Sequence, residues 1–254
     1  MISVQQRRRA ILDELEKKGF VRVLELAESL GVTGATIRSD LRILDIQNKL
    51  SRSHGGAIPV KKKVVDLPVQ EKSFICQAEK KSIAIAAAAL ISEDDSIIMT
   101  SGSTIEALAR YLKPKGRLNV VTPSIRVGVS LSEKENVDVL MLGGHIVKKS
   151  LSVRDTYTLE GLKNVKCSKL YFSCDGFDPE SGITTAYVEE ARITNAMMDA
   201  ATRVILLADS SKFGTIGFGK ICDFSRIDIL ITDSGIDKDF AKELKEAGIE
   251  VIVA

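Results

Sequence analysis

Residues 31–44 read GVTGATIRSDLRIL, and this stretch decides how the first part of the chain folds. Thr33 is a good helix N-cap, because its hydroxyl can accept a backbone N–H that the first turn leaves free. From there Ile37, Leu41 and Leu44 recur at i, i+4 and i+7, one apolar stripe on one helical face. The remaining faces carry Gly34, Ala35, Thr36, Arg38, Ser39 and Arg42. Upstream, Gly31 stops a short helix containing Leu24, Leu26, Ala27 and Leu30, since glycine takes the positive φ of a helix end at little cost. Before it, residues 4–18 set Val4, Ile11, Leu12 and Leu15 largely on one face and Arg7, Arg8, Arg9, Lys17 and Lys18 mostly around the rest, and Gly19 ends that segment. Three short helices with a glycine between the last two describe a helix-turn-helix whose third helix fits a major groove. The same pattern also suits a helical bundle that binds a protein partner. Downstream, Leu50 to Arg52 followed by Gly55 and Gly56 predict a hairpin or wing that brings Arg52 and His54 near a DNA backbone; His54 reads equally as an ordinary turn residue.

The charge distribution follows the same division. The 254 residues carry a net charge of +2, yet residues 1–63 hold 13 Lys and Arg against 7 Asp and Glu, a balance of +6. The rest hold 23 against 27, a balance of −4. A small basic unit therefore precedes a larger acidic one, and its excess suits a polyanion, nucleic acid or membrane surface, or simply a solvated basic face. The length gives room for one large core or two ordinary ones. No run approaches the ~20 apolar residues of a membrane span, and MISVQQRRRA leads into an amphipathic pattern instead of a secretory segment, so a cytoplasmic protein is expected. Cys76, Cys167, Cys174 and Cys222 are scattered, with only His54 and His145 to join them, so neither a disulfide framework nor a metal site is expected. Between the two parts GGAIPVKKKVVDLPV (residues 55–69) is broken by Gly55, Gly56, Pro59 and Pro68. The composition divides the chain into a basic domain over 1–58, a linker over 59–75 and a second domain over 76–254.

In the second domain AEKKSIAIAAAALI (78–91) reads as a helix, and SIIMT, LNVVT, VDVLML, KLYFSC, RVILLAD, IDILIT and IEVIV read as short apolar strands. Helical segments intervene, notably 103–113, 187–201 and 237–247. Near-continuous Val, Ile and Leu in strands separated by helices predict an α/β fold with a mostly parallel sheet covered on both faces. Such sheets bind ligands at the carboxyl ends of their strands. The residues that follow the strands there are Ser101-Gly102-Ser103-Thr104, Thr122-Pro123-Ser124, Gly143-Gly144-His145, Asp175-Gly176, Asp209-Ser210-Ser211-Lys212 and Thr232-Asp233-Ser234. Ser101–Thr104 opening a helix can offer N–H groups and hydroxyls to a phosphate, with Lys212 as the compensating cation. Taken singly, the SGST turn also reads as an ordinary helix cap, and Gly143-Gly144 as a tight turn.

The stretch from Arg8 through Ala57, above all GVTGATIRSDL and LSRSHGGA, resembles the DeoR family of bacterial transcription regulators. Two departures are Ser39, where a second Arg is usual before the Asp, and Asn48, where a Gly is usual. Placed in a groove, Thr33, Gly34, Ala35 and Thr36 at the start of the third helix, with Ser39, would face base edges, while Arg38, Arg42 and Arg52 would mainly engage phosphates. Arg38 and Arg42 can instead pair with Asp40 or Asp45. Residues 76–254 resemble the sensor domain of the same family through Lys81 with IAIAAAALI, SGST, VVT, LGGHIV, LSV, TTAYVEEA, LLADSSKFG and LITD. That sensor is in turn similar to ribose-5-phosphate isomerase. The resemblance implies a phosphorylated sugar as effector, with Ser101, Gly102, Ser103, Thr104 and Lys212 on the phosphate side, Asp175 and Glu189 facing sugar hydroxyls, and Gly143, Gly144 and Gly176 on the same rim. Thr100, Pro123 and Asp155 depart from the usual Asp, Asn and Gly, and Arg126 and Arg154 are available as substitute anion contacts.

The expected function is a sequence-specific DNA-binding regulator, most often a repressor in this family, that binds a double-stranded operator as a homodimer or homotetramer and is retuned by a phosphorylated sugar, with no cofactor and no catalytic residues. Two alternatives stand beside it. One is a sugar-phosphate isomerase using Glu189, Asp175 or Asp209 as base, although TTAYVEEA stands where the isomerase has a Gly-rich turn and catalytic Lys. The other is a regulator whose sensor has lost its ligand, as the departures at Thr100, Pro123 and Asp155 would allow.

Overall fold

A computed structural model describes residues 2–47, 49–53, 55–59 and 62–254. His54 and Asn48 lie outside the described residues. The chain divides into two compact units, Met1–Lys62 and Lys63–Ala254.

The first unit contains α1 (Val4–Lys18), β1 (Val21–Arg22), α2 (Val23–Ser29), α3 (Gly34–Ile46), β2 (Ser51–Ser53) and β3 (Gly56–Ile58). Ser3 and Gln6 close a reciprocal cap on α1, each side chain accepting the other's backbone N–H at 3.2 Å. Gly19 ends the helix at φ +71°, its N–H returning to the Leu15 carbonyl at 2.9 Å. Thr33 caps α3 by accepting the Thr36 N–H at 3.2 Å, as its sequence position predicts. Ile37, Leu41 and Leu44 are buried together with Ile11, Leu15, Val21, Val23, Leu26, Leu50 and Ala57, whereas Val4 stays about half exposed. The strands form an antiparallel sheet in the order β1-β3-β2, so the wing is anchored to the helices through β1. Asp40, on the buried side of α3, accepts from Arg7 Nε at 2.5 Å and Arg8 Nε at 2.8 Å. Burial pushes its pKa up, but the hydrogen bonds and charges of the two arginines outweigh this and hold the carboxyl below its usual range.

The second unit continues, after β4 (Lys62–Lys63), through α4 (Val69–Ser73), α5 (Gln77–Ala89), β5 (Ser96–Met99), α6 (Ser103–Tyr111), β6 (Leu118–Thr122), α7 (Ile125–Ser132) and β7 (Val137–Met141). Next come β8 (His145–Val147), β9 (Ser152–Arg154), α8 (Thr156–Leu162), β10 (Cys167–Phe172), β11 (Gly176–Asp178), β12 (Gly182–Thr185), α9 (Val188–Asp199) and β13 (Ala201–Leu207). The last elements are β14 (Thr215–Ile216), β15 (Gly219–Cys222), β16 (Ile229–Thr232), α10 (Lys238–Glu246) and β17 (Glu250–Val253). The seven apolar segments read as strands form one parallel sheet in the order β17-β16-β13-β10-β5-β6-β7. Alternate residues serve opposite faces. Ile97, Met99, Tyr171, Ile205 and Ile231 pack with α5, α6 and α7, and Ile98, Leu170, Phe172, Leu206 and Leu230 with α8, α9 and α10. The chain runs outward from β5 through β6 to β7, then crosses to β10 on the other side of β5 and proceeds through β13 to β17. The carboxyl ends of β5 and β10 are thus the topological switch point, where an open α/β sheet leaves a crevice.

Two features differ from the sequence expectation. Short antiparallel sheets, β11-β12-β15 and β8-β9, add to the parallel one. Residues 63–75, expected as linker, belong to the second unit: the Val64 N–H donates to the Ile216 carbonyl at 3.1 Å, the Val69 N–H to the Lys149 carbonyl at 2.8 Å, and Val69 is buried. Proline and glycine here break helix periodicity without making the segment a free spacer.

Candidate functional site

In the first unit α3 turns its apolar stripe inward, which leaves Thr33, Ala35, Arg38, Ser39 and Arg42 exposed, with Gly34 and Thr36 half-buried at its start. Arg52 is exposed on β2, opposite Ala57 of β3. Asp40 is committed to Arg7 and Arg8 and is not the partner of Arg38 or Arg42. Among the described residues none of Arg38, Arg42 and Arg52 has an ion-pair partner, so three guanidinium groups stand free for an external anion.

In the second unit an open cavity of about 620 Å³ lies at the switch point. Ser101–Thr104, leaving β5 into α6, form one wall; Ser173, Cys174 and Asp175, leaving β10, form the floor; Lys212 reaches in after β13. Gly102 has φ +122°, a conformation glycine accepts readily. A Cβ there would lie 2.4 Å from Ser173 Oγ, so the close approach of the two strand ends also requires glycine. The other wall comes from segments the sequence did not nominate: Asp66, Leu67, Val69 and Lys72 from the presumed linker, and Lys149 and Ser150 from the loop between β8 and β9. Thr185 and Glu190 complete the lining with Arg154.

Ion pairs cross the cavity. Lys72 Nζ donates to Asp175 Oδ1 at 2.7 Å, and Asp175 Oδ2 accepts from Thr185 Oγ1 and the Ala186 N–H, each at 3.0 Å. Burial raises the Asp175 pKa, but the Lys72 charge and these donors prevail and keep it a carboxylate. Lys149 Nζ meets Asp66 Oδ2 at 2.9 Å, and Tyr187 Oη donates to the same oxygen at 2.5 Å. Arg154 lies 3.5 Å from Glu190, donates to Ser150 Oγ at 3.1 Å and stacks over the Tyr187 ring at 5.0 Å. Burial raises the Glu190 pKa, offset in part by Arg154. Among the described residues lining the cavity, Lys212 is the one cation with no carboxylate partner.

The expected residues do not all converge. Ser101, Gly102, Ser103, Thr104, Asp175 and Lys212 line the cavity. Glu189 does not: it is exposed on α9, and its neighbour Glu190 takes the inward place. Gly143 and Gly144 also stand apart, for the Gly143 carbonyl accepts from Thr158 Oγ1 at 2.7 Å, beside the Asp155 cap of α8. Gly176 is a packing glycine on β11, where a Cβ would meet the Thr215 carbonyl at 2.0 Å. Of the departures from the family pattern, Asp155 is a helix cap that also binds His145, whereas Thr100 and Pro123 line a smaller recess behind Arg154 and Glu190. Arg126 is paired with Glu106 at 3.1 Å, outside the cavity lining. Lys81 is exposed near the Tyr111 ring, while its neighbour Lys80 is buried and donates to the Lys72 and Ile75 carbonyls at 2.6 Å each.

A winged helix-turn-helix with a free basic face, followed by an α/β unit with a cation-lined cavity at its switch point, defines a DNA-binding regulator with a sensor module. Residues 7–63 match the DeoR-like helix-turn-helix domain and residues 75–234 the DeoR C-terminal sensor domain. The chain belongs to the DeoR family of transcriptional regulators. It is 35% identical to the HTH-type transcriptional regulator YulB of Bacillus subtilis (strain 168) over 98% of this chain and 96% of that one. A protein of Escherichia coli O157:H7 described as an aga operon transcriptional repressor is 36% identical over 98% and 93%, and the transcriptional repressor GlcR of Bacillus subtilis is 32% identical over 98% and 96%. Among solved structures, ribose 5-phosphate isomerase A of Methanocaldococcus jannaschii covers 54% of each chain at 13% identity with a TM-score of 0.40, a likeness too low to bear on function. Among the described residues no helix is long and apolar enough to cross a membrane.

Proposed function

We propose that this regulator is a sequence-specific repressor of a carbohydrate-metabolism operon that binds its operator through α3 and the wing and is released by a phosphorylated sugar held in the cavity of its second unit. The observation that carries the effector reading is the meeting of Ser101–Thr104 with the unpartnered Lys212 at one strand-end cavity. The backbone N–H groups and hydroxyls at the start of α6, with the positive end of that helix, suit a phosphate. Asp175, Glu190, Thr185 and Ser150 supply acceptors and donors for sugar hydroxyls on the other side. An acidic unit draws no anion by net charge, so this local arrangement must do so. On the DNA side Thr33, Gly34, Ala35, Thr36 and Ser39 would read base edges, and Arg38, Arg42 and Arg52 would hold phosphates. A homodimer or homotetramer in the cytoplasm fits paired half-sites spaced by the helical repeat.

We also propose that the cavity is a binding site and not a catalytic one. Asp175 is held by Lys72, Thr185 and Ala186, Glu189 points elsewhere, and Asp209 lies outside the main cavity lining, so none of the three is a free proton-abstracting base, and the inward Glu190 faces the Arg154 guanidinium at 3.5 Å. The test is a thermal-shift panel of phosphorylated sugars run beside an aldose–ketose interconversion assay. Stabilisation by one member at millimolar concentration without turnover is expected, since ligand at about 100 times Kd adds about 2.7 kcal/mol. Turnover would make the protein an enzyme, and stabilisation by no member would leave the second unit without a sugar-phosphate role.

A further inference from the structure

The segment Val64–Ile75 directly follows the DNA-binding unit in the chain and forms a wall of the cavity. Its Leu67 and Lys72, with Asp175 and Lys212 across from them, also line a second recess of about 440 Å³. The segment is therefore a strap with open space on two sides. Its carboxyl-terminal half is fixed by buried Lys80, which holds the Lys72 and Ile75 carbonyls, and by the Val69–Lys149 backbone bond. Its amino-terminal half, residues 64–68, is held by the Val64–Ile216 backbone bond and by Asp66, gripped by Lys149 and Tyr187.

Charge balance makes these grips sensitive to an anion. A phosphate monoester brings about −1.5 to −2 charges at pH 7, while Lys212 is the single cation lining the cavity without a carboxylate among the described residues. The remaining positive charge must come from a cation already bridged. Two of the three bridged cations, Lys72 and Lys149, hold one end of a bridge that ties the strap to the cavity. An incoming dianion also repels Asp66 itself.

We propose that the anion unlatches the strap: it takes Lys149 and Lys72 from Asp66 and Asp175, frees residues 64–68, and through that chain connection weakens operator binding. This rests on the cavity being a phosphorylated-sugar site and adds the means by which that site speaks to DNA. Once Lys149 turns away, the Tyr187 hydroxyl, the Val64–Ile216 backbone bond and, at the Pro68 end, the Lys72–Pro68 backbone bond are the holds on residues 64–68 that remain among the described hydrogen bonds to the rest of the unit.

The test uses hydrogen exchange and gel shift on the full chain with DNA from its own upstream region. With no ligand present, Lys149→Gln removes the lysine that holds both the Asp66 carboxylate and its backbone carbonyl, and, separately, Asp66→Asn removes the charge of the pair; amides of residues 64–68 should exchange faster while α5 and α9 keep their protection, and operator affinity should fall about tenfold for Lys149→Gln and less for Asp66→Asn. A freed strap with unchanged operator affinity in both variants overturns the proposal, as does lost affinity with unchanged exchange. In the wild type, ribose 5-phosphate and inorganic phosphate serve as probes. A probe that raises the melting temperature should also speed exchange at 64–68, and stabilisation without that change overturns the latch while the binding reading survives. If neither probe binds, it is the sugar-phosphate reading that fails, and the two variants still decide the coupling.

Discussion

Lys72 Nζ and Asp175 Oδ1 stand 2.7 Å apart across 103 residues of sequence, and this bond joins the strap to the floor of the cavity. Both side chains are mostly buried, so the pair is weakly screened by salt and breaking it from one side leaves a charge unmatched. Asp175→Asn should lower the melting temperature of the second unit and, with a proposed sugar-hydroxyl acceptor altered, reduce discrimination among phosphorylated sugars. A loss of melting temperature with full ligand response would assign Asp175 to folding alone.

On the DNA side the free guanidinium groups make a salt-dependent prediction. Arg38→Gln and Arg42→Gln should each weaken binding to operator and random DNA alike and lower the slope of log K against log salt by about 1. Ser39→Ala should act on sequence preference with little change in that slope. Equal slopes in wild type and both arginine variants would remove these residues from the phosphate contacts.

Asp40 ties α1 to α3, and its lowered pKa gives the pH dependence a sign. The carboxyl binds protons more weakly in the folded state than in the unfolded chain, where its pKa is about 3.9. Its stabilisation is therefore complete above that value and is lost as the pH falls through the lower folded pKa. Asp40→Ala, which leaves Arg7 unmatched in a largely buried place, should cost about 3 kcal/mol at neutral pH and abolish operator binding. Denaturant titration followed by helical circular dichroism measures the first effect, and gel shift the second.

The neighbours Glu189 and Glu190 should separate cleanly. Glu190→Gln removes a negative charge beside Arg154, so inorganic phosphate should stabilise the variant more than the wild type while discrimination among phosphorylated sugars falls. Glu189→Gln, on the exposed side of α9, should leave both responses as they are. The reverse pattern would place the inward-facing carboxylate one residue earlier.

The seven parallel strands are legible in the sequence because most are short runs dominated by Val, Ile and Leu, with Leu170, Tyr171 and Phe172 serving in β10, and their carboxyl ends point to Ser101–Thr104 and Lys212. Thr33 was equally legible, since a cap is a local bond. What escaped was non-local. Lys72 and Asp66 sit among prolines and a lysine run that read as linker, and nothing periodic announces an ion pair with Asp175 or Lys149. That Glu190 and not Glu189 lines the cavity is not legible in the pair itself, because adjacent residues near a helix start differ by roughly 100° in direction and α9 begins at Val188. Composition places Gly143 and Gly144 on the rim, and the contact that holds Gly143 to Thr158, beside the Asp155 cap on α8, has no sequence signal.

In the proposed function, control of DNA binding by a phosphorylated sugar lies at Ser101–Thr104 and Lys212. Its most direct measurement is a gel shift with DNA from the upstream region, titrated with the panel of phosphorylated sugars, using wild type and Lys212→Gln side by side. The expected result is release of wild type by one member at millimolar concentration, with Lys212→Gln bound equally well in its absence and needing about tenfold more or above to be released, since a charge-assisted hydrogen bond is worth about 1.5–3 kcal/mol. Release of both proteins at the same concentration, or of neither by any member, would contradict it.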